Sequence, residues 1–199
     1  MPKQSTQTYQ VKVTLLDIRP PIWRRLLVNS DMKLDSFHQV LQDAMGWTNS
    51  HLHLFEQGGV LYEMASAQED PFDFDIQSEP EGKYSLSDLL QQEKDSFVYD
   101  YDFGDSWRHK IVLEKILPFD KQVPLAKCIK GKRSCPPEDC GGPWGYQSLL
   151  EILADPTHEE FDEMHEWIGE EFDPERFDLA RTNHFIEIQY ASDPTSNLH

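Results

Sequence analysis

The chain has 199 residues, 38% of them hydrophobic and 12% aromatic, which is enough for a substantial core and unlike a disordered composition. Its 36 acidic against 18 basic side chains give a formal charge of −18, a surface that repels phosphate backbones and acidic membranes. No run approaches the roughly 20 apolar residues of a membrane helix, and the start MPKQSTQTYQ lacks an apolar signal core, so a cytoplasmic protein is expected.

Residues 1–8 are polar and read as a frayed terminus. YQVKVTLLD alternates, with Tyr9, Val11, Val13 and Leu15 on one face, and predicts a strand. Pro20 and Pro21 bar a helix and mark a turn or edge bulge, after which residues 22–28 predict a second, antiparallel strand. LDSFHQVLQDAMGW predicts a helix. Asp35 or Ser36 caps it, Gln39 closes a Ser-x-x-Gln box, Phe37, Val40, Leu41, Ala44 and Met45 form its apolar stripe, and Gly46 stops it.

HLHLFEQGGVLYEM predicts a hairpin turning at Gly58-Gly59. Residues 65–96 read as an acidic loop holding a short helix at 86–90, entered through Ser85 or Ser87. SFVYDYDFGDSWRHKIVLEKI predicts a second hairpin bent at Gly104-Asp105. Phe97, Tyr99, Tyr101 and Phe103 share one face, and Trp107, His109, Ile111 and Leu113 share one on the return. A cysteine loop at 121–147 follows, then a helix at 146–153 that Pro156 ends. HEEFDEMHEWIGEEF predicts a further helix with a Phe161, Met164 and Ile168 stripe, Pro174 opens a last helical turn, and FIEIQY predicts a final strand.

This order predicts an α+β fold: a single roll-like domain over residues 9–190, with 191–199 as a tail. Its core at 9–120 is a mixed, mostly antiparallel sheet of five to seven strands with one main helix packed on it, and a helical segment at 148–183 closes the domain.

Three chemistries are open. The first lies in KCIKGKRSCPPEDCGG, which holds Cys128, Cys135 and Cys140, all the thiols of the chain. An odd number of cysteines without an export signal is no disulfide framework. Thiolates suit zinc, although Cys-x6-Cys-x4-Cys is not the paired Cys-x2-Cys of fingers and ribbons. A fourth ligand would have to come from His109, His158 or His165, or from Glu138 or Asp139 nearby. The plain alternative is a rigid connector between Pro136-Pro137 and Gly141-Gly142. No His or Asn is placed to mark a partner for a nucleophilic thiol.

The second set is His51, His53, Asp102, Asp105 and His109. His51 and His53, two apart on a strand, share a face, and the two hairpins side by side would bring all five into a metal-dependent, hydrolase-like site. In the plain reading the two histidines lie on a solvated or partly covered face, Asp105 sets the turn and His109 packs beside Trp107. His158 and His165 share one side of an acidic helix, a pattern typical of a solvated face. The third set, Arg24, Arg25, Lys130, Lys132 and Arg133, offers a small nucleic-acid foothold, against a plain reading in which the arginines pair with carboxylates.

The stretches PPIWRR, AMGW, HLHLF, YDFGD and CPPEDCGG, in this order across about residues 9 to 183, resemble the plasmid pRiA4b ORF-3-like family, some of whose members carry insertion-element passenger or resolvase labels. The resemblance implies an α+β roll-like domain with a helical C-terminal part and residence on mobile elements, but no agreed chemistry. The chain has no nucleophilic serine set among arginines, no helix-turn-helix, no Walker loop, no dinucleotide-binding glycine fingerprint and no His-Glu-x-x-His, so recombinase activity is not expected. The leading expectation is a non-enzymatic binding or accessory module, with a protein partner ahead of nucleic acid and no membrane. A metal-dependent, hydrolase-like enzyme and a weak nucleic-acid binder are the alternatives, and zinc on the cysteine loop is the one cofactor in view.

Overall fold

The computed structural model describes residues 6–64, 77–121, 124–169 and 171–191. Its sheet follows the predicted hairpins. β1 (Thr8–Leu15) pairs with β2 (Trp23–Asn29), β3 (His53–Gln57) with β4 (Val60–Glu63), and β6 (Ser96–Tyr101) with β7 (Trp107–Leu117), all antiparallel. Two further strands, β5 (Gln77–Pro80) and β8 (Ala126–Lys132), complete an eight-stranded sheet in the order β5-β4-β3-β6-β7-β1-β2-β8. Only the β4–β5 pair is parallel. The expected five to seven strands fell short because both extra strands are polar: QSEP and AKCIKGK lack the apolar alternation that marks a half-buried strand, and both sit at rims of the sheet. The first part of the expected acidic loop, 65–76, lies outside the described residues. Its later part contains β5, a 3-10 turn at Glu81–Lys83, and α2 (Leu86–Leu89), entered through a Ser85–Asp88 capping box.

α1 (Leu34–Met45) packs the expected stripe of Phe37, Val40, Leu41 and Ala44 into the core, together with sheet residues such as Val11, Val13, Leu26, Tyr99 and Ile111. Its start differs from the expected cap. Lys33 precedes the first turn with no side-chain cap, and the Leu34 N–H instead donates to the Tyr84 carbonyl, so a tertiary contact satisfies a donor that Asp35 or Ser36 was expected to help with. Gly46 ends the helix in the left-handed region, φ +91°, as expected.

A polar network lies inside this core. The His38 and His53 rings stack 3.5 Å apart. His38 Nδ1 meets the Tyr99 hydroxyl at 2.7 Å while Gln42 Nε2 donates to that same hydroxyl, so the Tyr99 proton is directed to His38 and the His38 Nε2–H to Asn49 Oδ1 at 2.7 Å. His53 Nε2 reaches Glu81 Oε2 at 2.9 Å. His109 is fully buried, edge-on to Trp47.

The C-terminal part forms α3 (Gly142–Ala154), α4 (Phe161–Ile168) and α5 (Leu179–Ala191). FIEIQY is therefore helical and not the expected strand: Ile186 is buried, and α5 packs on α1 and β8. The Asn183 side chain accepts from the Cys128 N–H and donates to the Cys128 carbonyl. Phe161, Met164 and Ile168 are half-buried, as a stripe on α4 should be, but His158 lies in the turn before the helix and not on it with His165.

Burial and the facing His53 lower His38 to about 4, and burial lowers His109 to about 3. Between these values and the ordinary 6.5 the unfolded chain binds more protons than the folded one, so stability falls as pH drops through that window. Asp43, raised by burial to about 6, works in the opposite direction, but it is one half-buried group against two buried imidazoles. Thermal unfolding followed from pH 7 to pH 4 should show a falling Tm, with each imidazole costing on the order of 3 kcal/mol by the lower limit. A flat profile would show that neither ring resists protonation.

Candidate metal centre

Three connections meet beside the β6–β7 hairpin. The first follows α1. Trp47 is buried, stacks on Tyr101 with centroids 5.0 Å apart, and its indole N–H donates to the Pro136 carbonyl at 3.0 Å. Next to it, the Thr48 N–H and hydroxyl donate to Glu138, whose other oxygen accepts from the Tyr101 hydroxyl. The second connection is the β6–β7 turn, where Asp105 Oδ2 accepts from the Gly141 N–H at 3.1 Å. The third is CPPEDCGG itself, which these bonds hold against the hairpin.

Gly142 at the end of that segment and Gly145 just beyond it are close-approach glycines. A Cβ on Gly142, at φ +68°, would stand 2.4 Å from the Asp105 carbonyl oxygen, and one on Gly145 would stand 1.9 Å from that of Cys140.

This docking assembles one set of donors. Asp102 takes the left-handed conformation at φ +58°, and its N–H donates to the Leu52 carbonyl, which ties the turn to the chain beside His51. Asp102 Oδ1 accepts from the Gly104 and Asp105 N–H groups, leaving Oδ2 at 3.6 Å from His51 Nε2. Asp139, also left-handed at φ +59°, brings Oδ1 to 3.4 Å from the same nitrogen. His51 Nε2 is buried and makes no hydrogen bond. Among the described residues this is the one group of three or more His, Cys, Asp or Glu donors that converge within 4.8 Å.

The separations favour a shared ion over direct contact. Both are longer than the usual range of about 2.7–3.2 Å for an N–H···O bond, and neither forms one. Ligand atoms about 2.0–2.1 Å from a tetrahedral zinc stand about 3.4 Å apart, close to both values. The Asp139 side chain is 75% exposed, so the site opens to solvent.

The other expected site residues lie elsewhere. His53 is committed to Glu81 and His38, and His109 to the aromatic core, so neither joins His51 as the metal-site alternative would require. Asp105 adjoins the site but serves as a loop anchor. Cys128 is buried on β8, with its Sγ 3.6 Å from the Lys130 carbonyl, while Cys135 and Cys140 lie in the connection. Burial holds all three thiols protonated, with Cys140 pushed up to about 12 by burial and then by Asp105 and Asp139. No imidazole converges on them among the described residues, neither His109 nor His158.

Arg24 is buried and donates to the Ala44, Trp23 and Lys132 carbonyls, whereas Arg25 forms a two-pronged pair with Glu114. Arg133 pairs with Glu175, and Lys130 and Lys132 are exposed on β8. Asp139 was considered only as a local ligand for the thiols. Its pairing with His51 depends on a contact 88 positions apart in the chain, and no local pattern announces it.

Gly142→Ala and Gly58→Ala test the docking, because both sites have positive φ but a Cβ on Gly58 meets nothing within 4 Å. In urea unfolding Gly142→Ala should cost about 1–3 kcal/mol more than the control, the usual range for forced overpacking. Equal losses would place the requirement in backbone conformation alone.

Comparison with known proteins follows the same architecture. The family model for plasmid pRiA4b ORF-3-like protein matches residues 7–181. The uncharacterized protein y4hQ of Sinorhizobium fredii (strain NBRC 101917 / NGR234) is 38% identical over 186 residues, covering 92% of this chain and 90% of its own. The crystal structure of the protein of unknown function MM3350 from Methanosarcina mazei Go1 matches with a TM-score of 0.77 and 38% identity, over 87% of this chain and 96% of that one. The chain thus belongs to the plasmid pRiA4b ORF-3-like family.

Proposed function

We propose that the protein holds a divalent transition metal, zinc before manganese, on His51, Asp102 and Asp139. The observation that carries this reading is the buried, unbonded His51 Nε2 standing 3.4 and 3.6 Å from two carboxylate oxygens. A lone imidazole nitrogen costs free energy when desolvated without a partner, and a cation shared with the carboxylates removes that cost. One imidazole with two carboxylates is a borderline-to-hard donor set, suited to zinc or manganese.

Three protein ligands leave a position for water, and a zinc-bound water ionises near neutral pH. Metal-assisted hydrolysis is therefore the reaction class this arrangement supports. The charge of −18 favours cation capture. The non-enzymatic module is the second reading, favoured by Leu52, Phe103 and Trp144. These large apolar side chains are exposed in the segments that supply the site, where a protein partner would cover them.

Metal titration of the chelator-treated chain, with zinc and manganese in separate calorimetric runs, tests the centre. His51→Ala and Asp139→Asn should each weaken binding at least about tenfold, a loss of about 1.4 kcal/mol. A variant with Cys128→Ser, Cys135→Ser and Cys140→Ser should retain it. Loss in the cysteine variant with retention in His51→Ala would move the metal to the thiols and overturn the proposal.

A further inference from the structure

A second site lies away from the metal centre. A groove of about 630 Å³ runs between the C-terminal end of α1, residues 134–135 and the segment joining α4 to α5. That volume is typical of small-molecule pockets. Its walls include the rings of Trp47, Phe172 and Phe177, and the carboxylates of Asp43 and Glu171.

The charges in these walls are unevenly committed. Arg24 is spent on three backbone carbonyls and lies over the Phe177 ring. Arg176 stands 3.7 Å from Asp178, and Arg181 lies over Phe185. Asp43 has no such partner: its Oδ2 is buried without a hydrogen bond, and burial pushes the carboxyl up to about 6. A half-buried carboxylate with one oxygen desolvated and unpaired is costly, and its residue lines a wall that also carries aromatic residues. Carboxylate and aromatic faces together are the donor set that recognises organic cations, by charge-assisted hydrogen bonding at one end and cation–π or apolar contact along the rest.

We propose that this groove binds a small organic cation, an alkylammonium or guanidinium compound, with its charged end on Asp43 and its carbon chain along Trp47 and Phe172. The metal reading is not needed for this, since no residue of the proposed centre lines the groove.

Calorimetric titration of the full chain with agmatine, spermidine and tri-lysine tests the proposal, repeated on Asp43→Asn and Phe172→Ala. Saturable binding of agmatine or spermidine, weakened at least about tenfold by Asp43→Asn, is the expected result. Asp43→Asn should leave thermal stability equal or higher, because it removes an unpaired, half-buried charge. Binding that Asp43→Asn leaves unchanged would be general attraction to the acidic surface and would overturn the site. So would no binding of any probe. Tri-lysine binding more tightly than the small amines would reassign the groove to a lysine-bearing protein.

Discussion

The docking of CPPEDCGG on the second hairpin is the constraint on which the rest of the site depends. Trp47, Thr48 and Tyr101 grip Pro136 and Glu138, Asp105 grips Gly141, and Gly142 lies so close to Asp105 that no side chain fits between them. Together these bonds join three segments far apart in the chain and hold the loop that carries Asp139. Proline and glycine suit this work, since one limits the loop before docking and the other permits contact afterwards. Burial pushes the thiols of the same segment up, and its carboxylates and backbone carry the contacts.

The interior and the site divide the histidines between two tasks. His38, His53 and His109 are parts of an aromatic core, the first and last held neutral by burial and His53 bonded to Glu81. His51, one turn of chain away from that core, is left with an unmatched nitrogen facing two carboxylates. A pairwise spacing of two residues does not decide this division. Which neighbour the fold brings to each ring decides it.

The legible part of the fold was the part written in local patterns. Alternation marked β1, β2 and the two hairpins, and the stripe from Phe37 to Met45 with Gly46 behind it marked α1. The edge strand carrying Cys128 was not legible, because Ile129 falls out of step with Ala126 and Cys128 and only lysines and a glycine follow. FIEIQY read as a strand because Ile186, Ile188 and Tyr190 alternate with Glu187 and Gln189 over a short stretch, whereas the helix packs on α1 and β8. At the site, His51 and Asp102 were legible as residue types beside turns. Asp139 was seen only as a neighbour of cysteines, since loop docking leaves no periodic trace.

One small contact has a larger consequence. The Asn183 side-chain amide occupies both backbone groups of Cys128 on the last strand of the sheet. An amide so placed imitates a further strand at one residue and denies that rim to a foreign one. At the opposite rim β5 is four residues long and ends in Pro80, which has no N–H to offer. Each rim thus carries a local obstacle to strand addition, of a different kind at each end, and α5, besides packing on the sheet, hinders strand-by-strand aggregation at Cys128.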